Sequence, residues 1–154
     1  MAGAAATRNP LIARACFSTV FDRTADDIWA EVRDFGNYAL WVDDVEESAI
    51  EGDRPGDAVG AVRRARIGTR VIRQRLLAHS DLERSYVYEF ADAPPAPLAS
   101  YRATIRVTKV TDGDRAFVEW WADFDAPPAE IEHWRGFYAA AFAGWLGFLR
   151  QRLR

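Results

Sequence analysis

The sequence predicts an α+β fold in which one curved antiparallel sheet of about seven strands wraps a long C-terminal helix. Three observations predict it. An N-terminal strand pattern is followed by two short helical patterns, residues 45–124 alternate strand patterns with turn signals, and residues 131–153 form one long helical pattern. A chain of 154 residues, 49% of them apolar, has the size and core of a single domain.

The N-terminal elements have clear boundaries. Residues 1–10 are small and polar and are expected to be frayed or disordered, whereas residues 11–21 are β-branched and aromatic and predict a strand. Thr24 followed by Asp27 resembles a capping box and predicts the start of a helix. This helix ends at Gly36-Asn37, and a second helical turn is expected over residues 38–42.

Turn signals divide the central region into strands. Gly68-Thr69 and Asp112-Gly113 predict hairpins, and residues 92–97 form a Pro-rich loop. The predicted strands cover residues 45–51, 59–67, 70–78, 85–90, 101–110 and 115–124.

The side-chain pattern around Asp112-Gly113 predicts a strand register. If these two residues form the turn, Val107 faces Val118 and Ile105 faces Trp120 on a wholly apolar face. The opposite face then carries two pairs of opposite charge, Arg106 with Glu119 and Arg102 with Asp123. A slip of one residue would lose both features.

The hairpin at Gly68-Thr69 places polar side chains on the inner face. Its predicted register pairs Arg63 with Gln74, and groups buried there need hydrogen bonds or water. The outer face would carry a stripe of arginines, and like charges opposite one another weigh against this register. The stripe comprises Arg64, Arg66, Arg73 and Arg75.

The order of elements resembles the START-like superfamily, also called the birch-pollen-allergen-like or SRPBCC superfamily, and within it the polyketide cyclase/dehydratase-like branch. The resemblance implies a helix-grip fold over residues 11–154, with a central cavity whose mouth lies at residues 67–70 and 92–97. It is specific for fold rather than chemistry, because the superfamily contains enzymes, lipid carriers and hormone receptors. The matching residues are 21–29, 33–35, 41, 56–57, 60–63, 75–78, 86–88, 101 and 118–124.

The strand registers and the last helix supply candidate ligand-binding residues. Aromatic side chains dominate the set, and ordinary core packing is the alternative interpretation for each ring. The candidates are Arg63, Gln74, Tyr86, Tyr88, Tyr101, Trp120, Phe124, Trp134, Phe137, Tyr138, Ala141 and Trp145.

Three of these residues could also carry chemistry. Arg63 could hold a carboxylate or stabilise enolate charge, and no inward carboxylate is expected nearby, which favours a ligand as its partner. Tyr88 or Tyr101 could donate a proton. The alternative is a hydrogen-bond network that only holds the sheet together, or an Arg63 side chain that reaches solvent.

The sequence gives no basis for a metal site or a cofactor. Cys16 is the single cysteine, and neither histidine belongs to a metal-binding or catalytic spacing. His79 is expected to be a solvated turn residue and His133 a surface residue. The acidic runs at 43–44 and 46–47 are expected to be solvated.

The leading functional hypothesis is a central cavity that binds a small hydrophobic or aromatic molecule, including one with a keto or carboxyl group, with polyketide cyclase or dehydratase chemistry if the protein is catalytic. One alternative is a non-catalytic carrier, and another is an interaction domain that docks through the arginine stripe. A net charge of −3 argues against nucleic acid, and no apolar run reaches the length of a membrane span. The chain lacks a convincing signal peptide, so a cytoplasmic protein is expected, and a homodimer is compatible with the sequence.

Overall fold

A computed structural model describes residues 13–154, so the predicted frayed segment 1–10 and residues 11 and 12 of the predicted first strand lie outside it. A single 3₁₀ turn, Pro128–Glu130, precedes the last helix. The elements in chain order are β1 (Ala13–Phe21), α1 (Ala25–Val32), α2 (Tyr38–Trp41), β2 (Glu47–Ile50), β3 (Val62–Ile67), β4 (Arg70–Ser80), β5 (Ser85–Phe90), β6 (Ser100–Val110), β7 (Arg115–Asp125) and α3 (Ile131–Arg152).

The seven strands form one antiparallel sheet in the order β1-β7-β6-β5-β4-β3-β2. Consecutive strands from β2 to β7 are neighbours, and β1 closes the row beside β7. The predicted α+β architecture, with two short helices after the first strand and a long C-terminal helix, is confirmed. No helix in the described part of the chain is long and apolar enough to cross a membrane.

Helix α1 begins where its cap predicts. The Thr24 hydroxyl accepts a hydrogen bond from the Asp27 backbone N–H at 3.1 Å, which satisfies one of the free donors of the first turn. The helix buries the apolar stripe of Ile28, Trp29 and Val32 against the sheet. It therefore forms part of the wall that closes one end of the fold.

The β6–β7 hairpin has the predicted register. Val107 lies opposite Val118 and Ile105 opposite Trp120, and all four side chains are buried. On the outer face Arg106 lies 3.6 Å from Glu119. The predicted ion pair between Arg102 and Asp123 does not form; Asp123 binds Arg14 at 2.6 Å instead, because β1 places Arg14 directly opposite it.

The β3–β4 register is also confirmed, in spite of its opposed arginines. Arg63 lies opposite Gln74, and Arg64 lies opposite Arg73 on the outer face. The charge of Arg73 is balanced by Glu51 at 2.6 Å and by Asp92 at 2.8 Å.

The other outer arginines of this hairpin have acidic partners as well. Arg66 pairs with Glu46 and Glu47, which are therefore not the free solvated charges that the sequence suggests. Arg75 lies 3.1 Å from Glu89. Three of the four arginines of the predicted basic stripe are thus neutralised within the chain.

Helix α3 lies across the concave face of the sheet but fills only part of it. Its side chains Tyr138, Phe142, Leu146 and Leu149 are buried, and the Phe142 ring stacks on Trp120 with centroids 4.9 Å apart. The helix packs against β1 and β7. At the other end of the sheet, where β3 and β4 curve away, a cavity remains.

Candidate functional site

A cavity of about 520 Å³ lies between the middle of α3 and the β3–β4 side of the sheet. Its volume falls within the usual range for small-molecule sites, and most of its walls are apolar or aromatic. The lining residues are Tyr38, Asp44, Ala65, Ile67, Gly68, Thr69, Arg70, Ile72, Gln74, Tyr88, Phe90, Pro95, Tyr101, Phe137, Tyr138 and Trp145.

The mouth of the cavity is formed by loops and one exposed ring. The β3–β4 turn contributes Gly68, whose φ of +63° suits glycine, and the loop after β5 contributes Pro95. Across from them the side chain of Phe137 is 53% exposed. The mouth therefore lies where the resemblance places it, at residues 67–70 and 92–97.

Polar side chains are concentrated at the inner end. Gln74, Tyr88 and Tyr101 project from β4, β5 and β6 into the cavity because all three lie on the concave face. The Trp120 indole N–H donates a hydrogen bond to the Tyr88 hydroxyl at 3.1 Å. This bond fixes the position of the hydroxyl and occupies one of its lone pairs.

Burial raises the pKa of every phenol in this region. The effect is large for Tyr88 and Tyr101, because desolvation disfavours the phenolate, and for Tyr101 the neighbouring Tyr88 raises the pKa further. Burial also raises the pKa of Tyr138 to about 12. At neutral pH these side chains are protonated, so they can donate hydrogen bonds but cannot act as bases.

Arg63 is buried behind these residues rather than in the cavity wall. Its side chain is only 1% exposed, so it does not reach solvent. The guanidinium donates two hydrogen bonds to the Gln74 carbonyl oxygen, one of them at 3.1 Å, and a third to the Phe35 carbonyl at 3.3 Å. It also lies over the rings of Phe35, at 4.0 Å, and Tyr38, at 3.9 Å.

This arrangement differs from the expectation that a ligand carboxylate pairs with Arg63. It resembles the alternative, a hydrogen-bond network within the protein, because Gln74, a backbone carbonyl and aromatic faces together surround the charge. Gln74 and Tyr38 line the cavity and both contact Arg63, which itself does not line it. The structure thus makes Arg63 a neighbour of the site.

Half of the candidate ligand-binding residues line the cavity, namely Gln74, Tyr88, Tyr101, Phe137, Tyr138 and Trp145. The others lie outside its walls. The Trp120 ring is enclosed by other aromatic side chains, namely Phe142, Trp145 and Trp41. Tyr86 packs on Phe35. The candidates that do not line the cavity are Arg63, Tyr86, Trp120, Phe124, Trp134 and Ala141.

Several lining residues are absent from the candidate set. Ala65 and Ile72 alternate with Arg63 and Gln74 along the predicted hairpin, and Phe90 alternates with Tyr88, so strand alternation could have identified all three. Tyr38 enters the cavity from α2, and no local pattern reveals how that helix is positioned. Asp44, expected to be a solvated turn charge, is exposed but lies at the mouth.

His79 is not the solvated turn residue that the sequence predicts. It lies within β4, its Nε2 is 3.0 Å from the Arg33 carbonyl oxygen, and its ring stacks on Tyr86. The pairing of β4 with β5 is shifted at Leu77, so the inward alternation changes from even to odd positions. This bulge turns His79 inward. His133 is exposed, as expected.

The cavity offers no ligand set for a metal. Among residues 13–154 there is no group of three His, Cys, Asp or Glu side chains that could hold an ion. Cys16 is exposed on β1, away from the cavity, and partial desolvation together with the nearby Glu119 raises the pKa of its thiol.

Comparisons with known proteins agree with this architecture. A family model described as "Polyketide cyclase / dehydrase and lipid transport" matches residues 14–154. No curated protein matches the chain. Many solved structures, in contrast, match the chain.

A protein from Thermobifida fusca, determined by NMR in solution, is 28% identical, with a TM-score of 0.82 over 92% of this chain and 93% of that one. The protein XoxI from Bacillus cereus is 23% identical, with a TM-score of 0.79 over 92% and 95%. The di-domain ARO/CYC BexL of the BE-7585A biosynthetic pathway is 13% identical, with a TM-score of 0.76. The match covers 92% of this chain but 46% of BexL, and at this identity it shows the fold alone.

Proposed function

The chain belongs to the polyketide cyclase, dehydrase and lipid transport family, and we propose that its cavity binds one small hydrophobic or aromatic molecule. The observation that carries the proposal is the cavity itself, about 520 Å³ in volume, with aromatic walls and a polar inner end. Family membership supports a role in hydrophobic ligand binding.

The distribution of rings favours a binding site over simple core packing. Trp120 and Phe142 stack closely and are fully buried, as core side chains are. Trp145 and Tyr138, on the same helix, face open space, and Phe137 is exposed at the mouth. An exposed ring beside an apolar cavity suits contact with a ligand that enters there.

Cyclisation or dehydration of a polyketide-like substrate is the catalytic form of this proposal. The protein would act mainly by holding the substrate in a reactive conformation, with Tyr88 and Tyr101 as hydrogen-bond donors to its oxygens. Both phenols are protonated at neutral pH, and burial raises their pKa values further above the ordinary value. A general base is not evident among the described lining residues, where Asp44, at the mouth, has the only carboxylate.

That scarcity of general bases favours a second candidate, a carrier that binds the same class of ligand without changing it. The third alternative, docking through the basic strand face, is weakened because Arg66, Arg73 and Arg75 pair with carboxylates of the chain itself. The same pairing argues against a nucleic-acid partner. A homodimer stays a prediction.

Native mass spectrometry of gently purified protein tests the proposal. We expect a species heavier than the bare chain by one small molecule, which is released when the protein is unfolded in acid and organic solvent. The chemical formula of the released molecule would identify the ligand class. Incubation of the recovered molecule with fresh protein then distinguishes an enzyme, which changes its mass or spectrum, from a carrier. A bare chain that also fails to bind added apolar aromatics would contradict the proposal.

A further inference from the structure

The amide of Gln74 has a defined orientation. Two donors of the Arg63 guanidinium, Nε and one Nη, share a single Gln74 atom. Since a guanidinium only donates, that atom must be the carbonyl oxygen Oε1. The amide nitrogen Nε2 is therefore directed away from Arg63.

The free end of this amide belongs to the cavity. Gln74 is 8% exposed and lines the cavity, and among residues 13–154 no acceptor binds its Nε2. The nitrogen itself is accessible from the cavity, so a ligand that covers it without offering an acceptor would leave the donor unpaired, at a cost of about 1–3 kcal/mol. A ligand atom that accepts a hydrogen bond would satisfy it.

The buried charge of Arg63 strengthens this donor. A cation bound to Oε1 draws electron density through the amide toward the oxygen, which makes the N–H group more acidic and a stronger donor. No carboxylate contacts Arg63 within the described residues, so its field is not cancelled locally. Because Arg63 acts on the ligand only through Gln74, it is a positioning residue.

We infer that the Gln74 amide N–H, held in place by Arg63, binds a carbonyl oxygen of the ligand at the inner end of the cavity. The preferred ligand is then an aromatic or polycyclic ketone, or another neutral aromatic carbonyl compound. A free carboxylate would have no direct cationic partner at this depth. This inference rests on the proposed function and names the chemical class that the cavity selects.

A pair of probes that differ in one oxygen tests the inference. 2-Acetylnaphthalene carries the ketone, and 2-ethylnaphthalene has nearly the same shape without an acceptor. We expect the wild-type protein to bind the ketone about three- to tenfold more tightly, the range that one net hydrogen bond gives. Infrared spectra of the ¹³C-carbonyl ketone should show its C=O stretch at lower frequency when bound than in an apolar solvent.

Two substitutions at one position separate the donor from the packing. Gln74→Glu keeps the side-chain shape and gives Arg63 a carboxylate partner, but removes the N–H donors. It should abolish the preference for the ketone and return the C=O stretch to its frequency in an apolar solvent. The affinity for 2-ethylnaphthalene should stay within about twofold of that of the wild type. Gln74→Met, a second variant without any charge, should do the same if the Glu variant is not folded by circular dichroism.

Arg63→Lys and Arg63→Met test the positioning role. The methionine variant should lose most of the infrared shift, because the amide is no longer held, and lysine should restore part of it. Suppose that both probes bind the wild type, but the Gln74 variants keep the preference for the ketone and the shifted infrared band. The inference is then wrong and the proposed function stands. If neither probe binds wild-type protein, both fall.

Discussion

At the scale of single residues, the buried pair of Arg63 and Gln74 is the least expected feature of the fold. A guanidinium that is 1% exposed usually has a carboxylate partner. Here an amide oxygen, the Phe35 carbonyl and two aromatic faces take its place. Removal of either side chain leaves the other without its partner. The contributions of Arg63 and Gln74 to the free energy of unfolding are therefore expected to be coupled.

A double-mutant cycle measures that coupling. Gln74→Leu leaves the charge of Arg63 without its main acceptor and should lower the free energy of unfolding by about 1.5–3 kcal/mol, the usual range for hydrogen bonds to charged groups. Arg63→Met together with Gln74→Leu should cost less than the sum of the single changes, because neither unpaired group remains. Urea unfolding gives all four values. Additive effects would show that the two side chains are energetically independent.

The orientation of these two side chains could be predicted from the sequence, but their contacts could not. Hairpin turns and strand alternation place both Arg63 and Gln74 on the concave face. Their distance from a ligand depends on how Tyr38 and Phe35 cover the guanidinium, which is set by the packing of α2 and the preceding loop against the sheet. That packing is a long-range property without a local signal.

At the scale of elements, an ion-pair cluster fastens α1 to the turn between β4 and β5. Asp81 in this turn accepts hydrogen bonds from the Trp29 indole at 2.8 Å and from Arg33 at 3.0 Å. His79 packs beside them on the Trp29 ring. The cluster closes the end of the fold opposite the cavity mouth and holds α1 on the sheet.

Acid should weaken this connection. The hydrogen bond from Arg33, with that from Trp29, holds the pKa of Asp81 at about 2, below its model-peptide value of about 3.9. A depressed pKa means that the stabilisation is complete above the unfolded-state value and is lost as the pH falls from about 4 to about 2. The Asp81→Asn variant should be less stable at neutral pH and show a smaller loss of stability across that range.

Urea midpoints measured at several values between pH 2 and pH 6 check this expectation. Some acid dependence will remain in the variant, because the hydrogen bond from Arg73 also lowers the pKa of Glu51. Glu83→Gln is the matched control, since it removes an exposed carboxylate from the same turn. Equal acid sensitivity in wild type and Asp81→Asn would show that the cluster does not stabilise the fold.

The elements also show where sequence patterns fail. Turn signals and alternation predicted every strand of the described sheet, and the registers of β3–β4 and β6–β7. They missed the bulge at Leu77, because one inserted residue leaves no mark in composition while it reverses the faces of all positions that follow. His79 was assigned to solvent for this reason alone.

At the scale of the whole molecule, the cavity results from an uneven fit between the curved sheet and helix α3. Helix α3 packs on β1 and β7, where Trp120 and Phe142 fill the space. At β3 and β4 the sheet presents the small side chain of Ala65 and the polar Gln74, which leave the space open. The cavity therefore depends on a few small or polar side chains, and one larger side chain can close it.

The most direct test of the account is the binding of N-phenyl-1-naphthylamine, a neutral dye that fluoresces in apolar surroundings, to wild type and to Ala65→Phe. Ala65 lines the cavity, so a phenyl group there occupies the ligand space. Ala140→Phe, which adds the same group to an exposed position of α3, is the control. We predict saturable binding of one dye per chain to wild type and Ala140→Phe, and at least tenfold weaker binding to a folded Ala65→Phe protein. Equal binding by all three proteins, or none by wild type, would contradict a ligand-binding cavity.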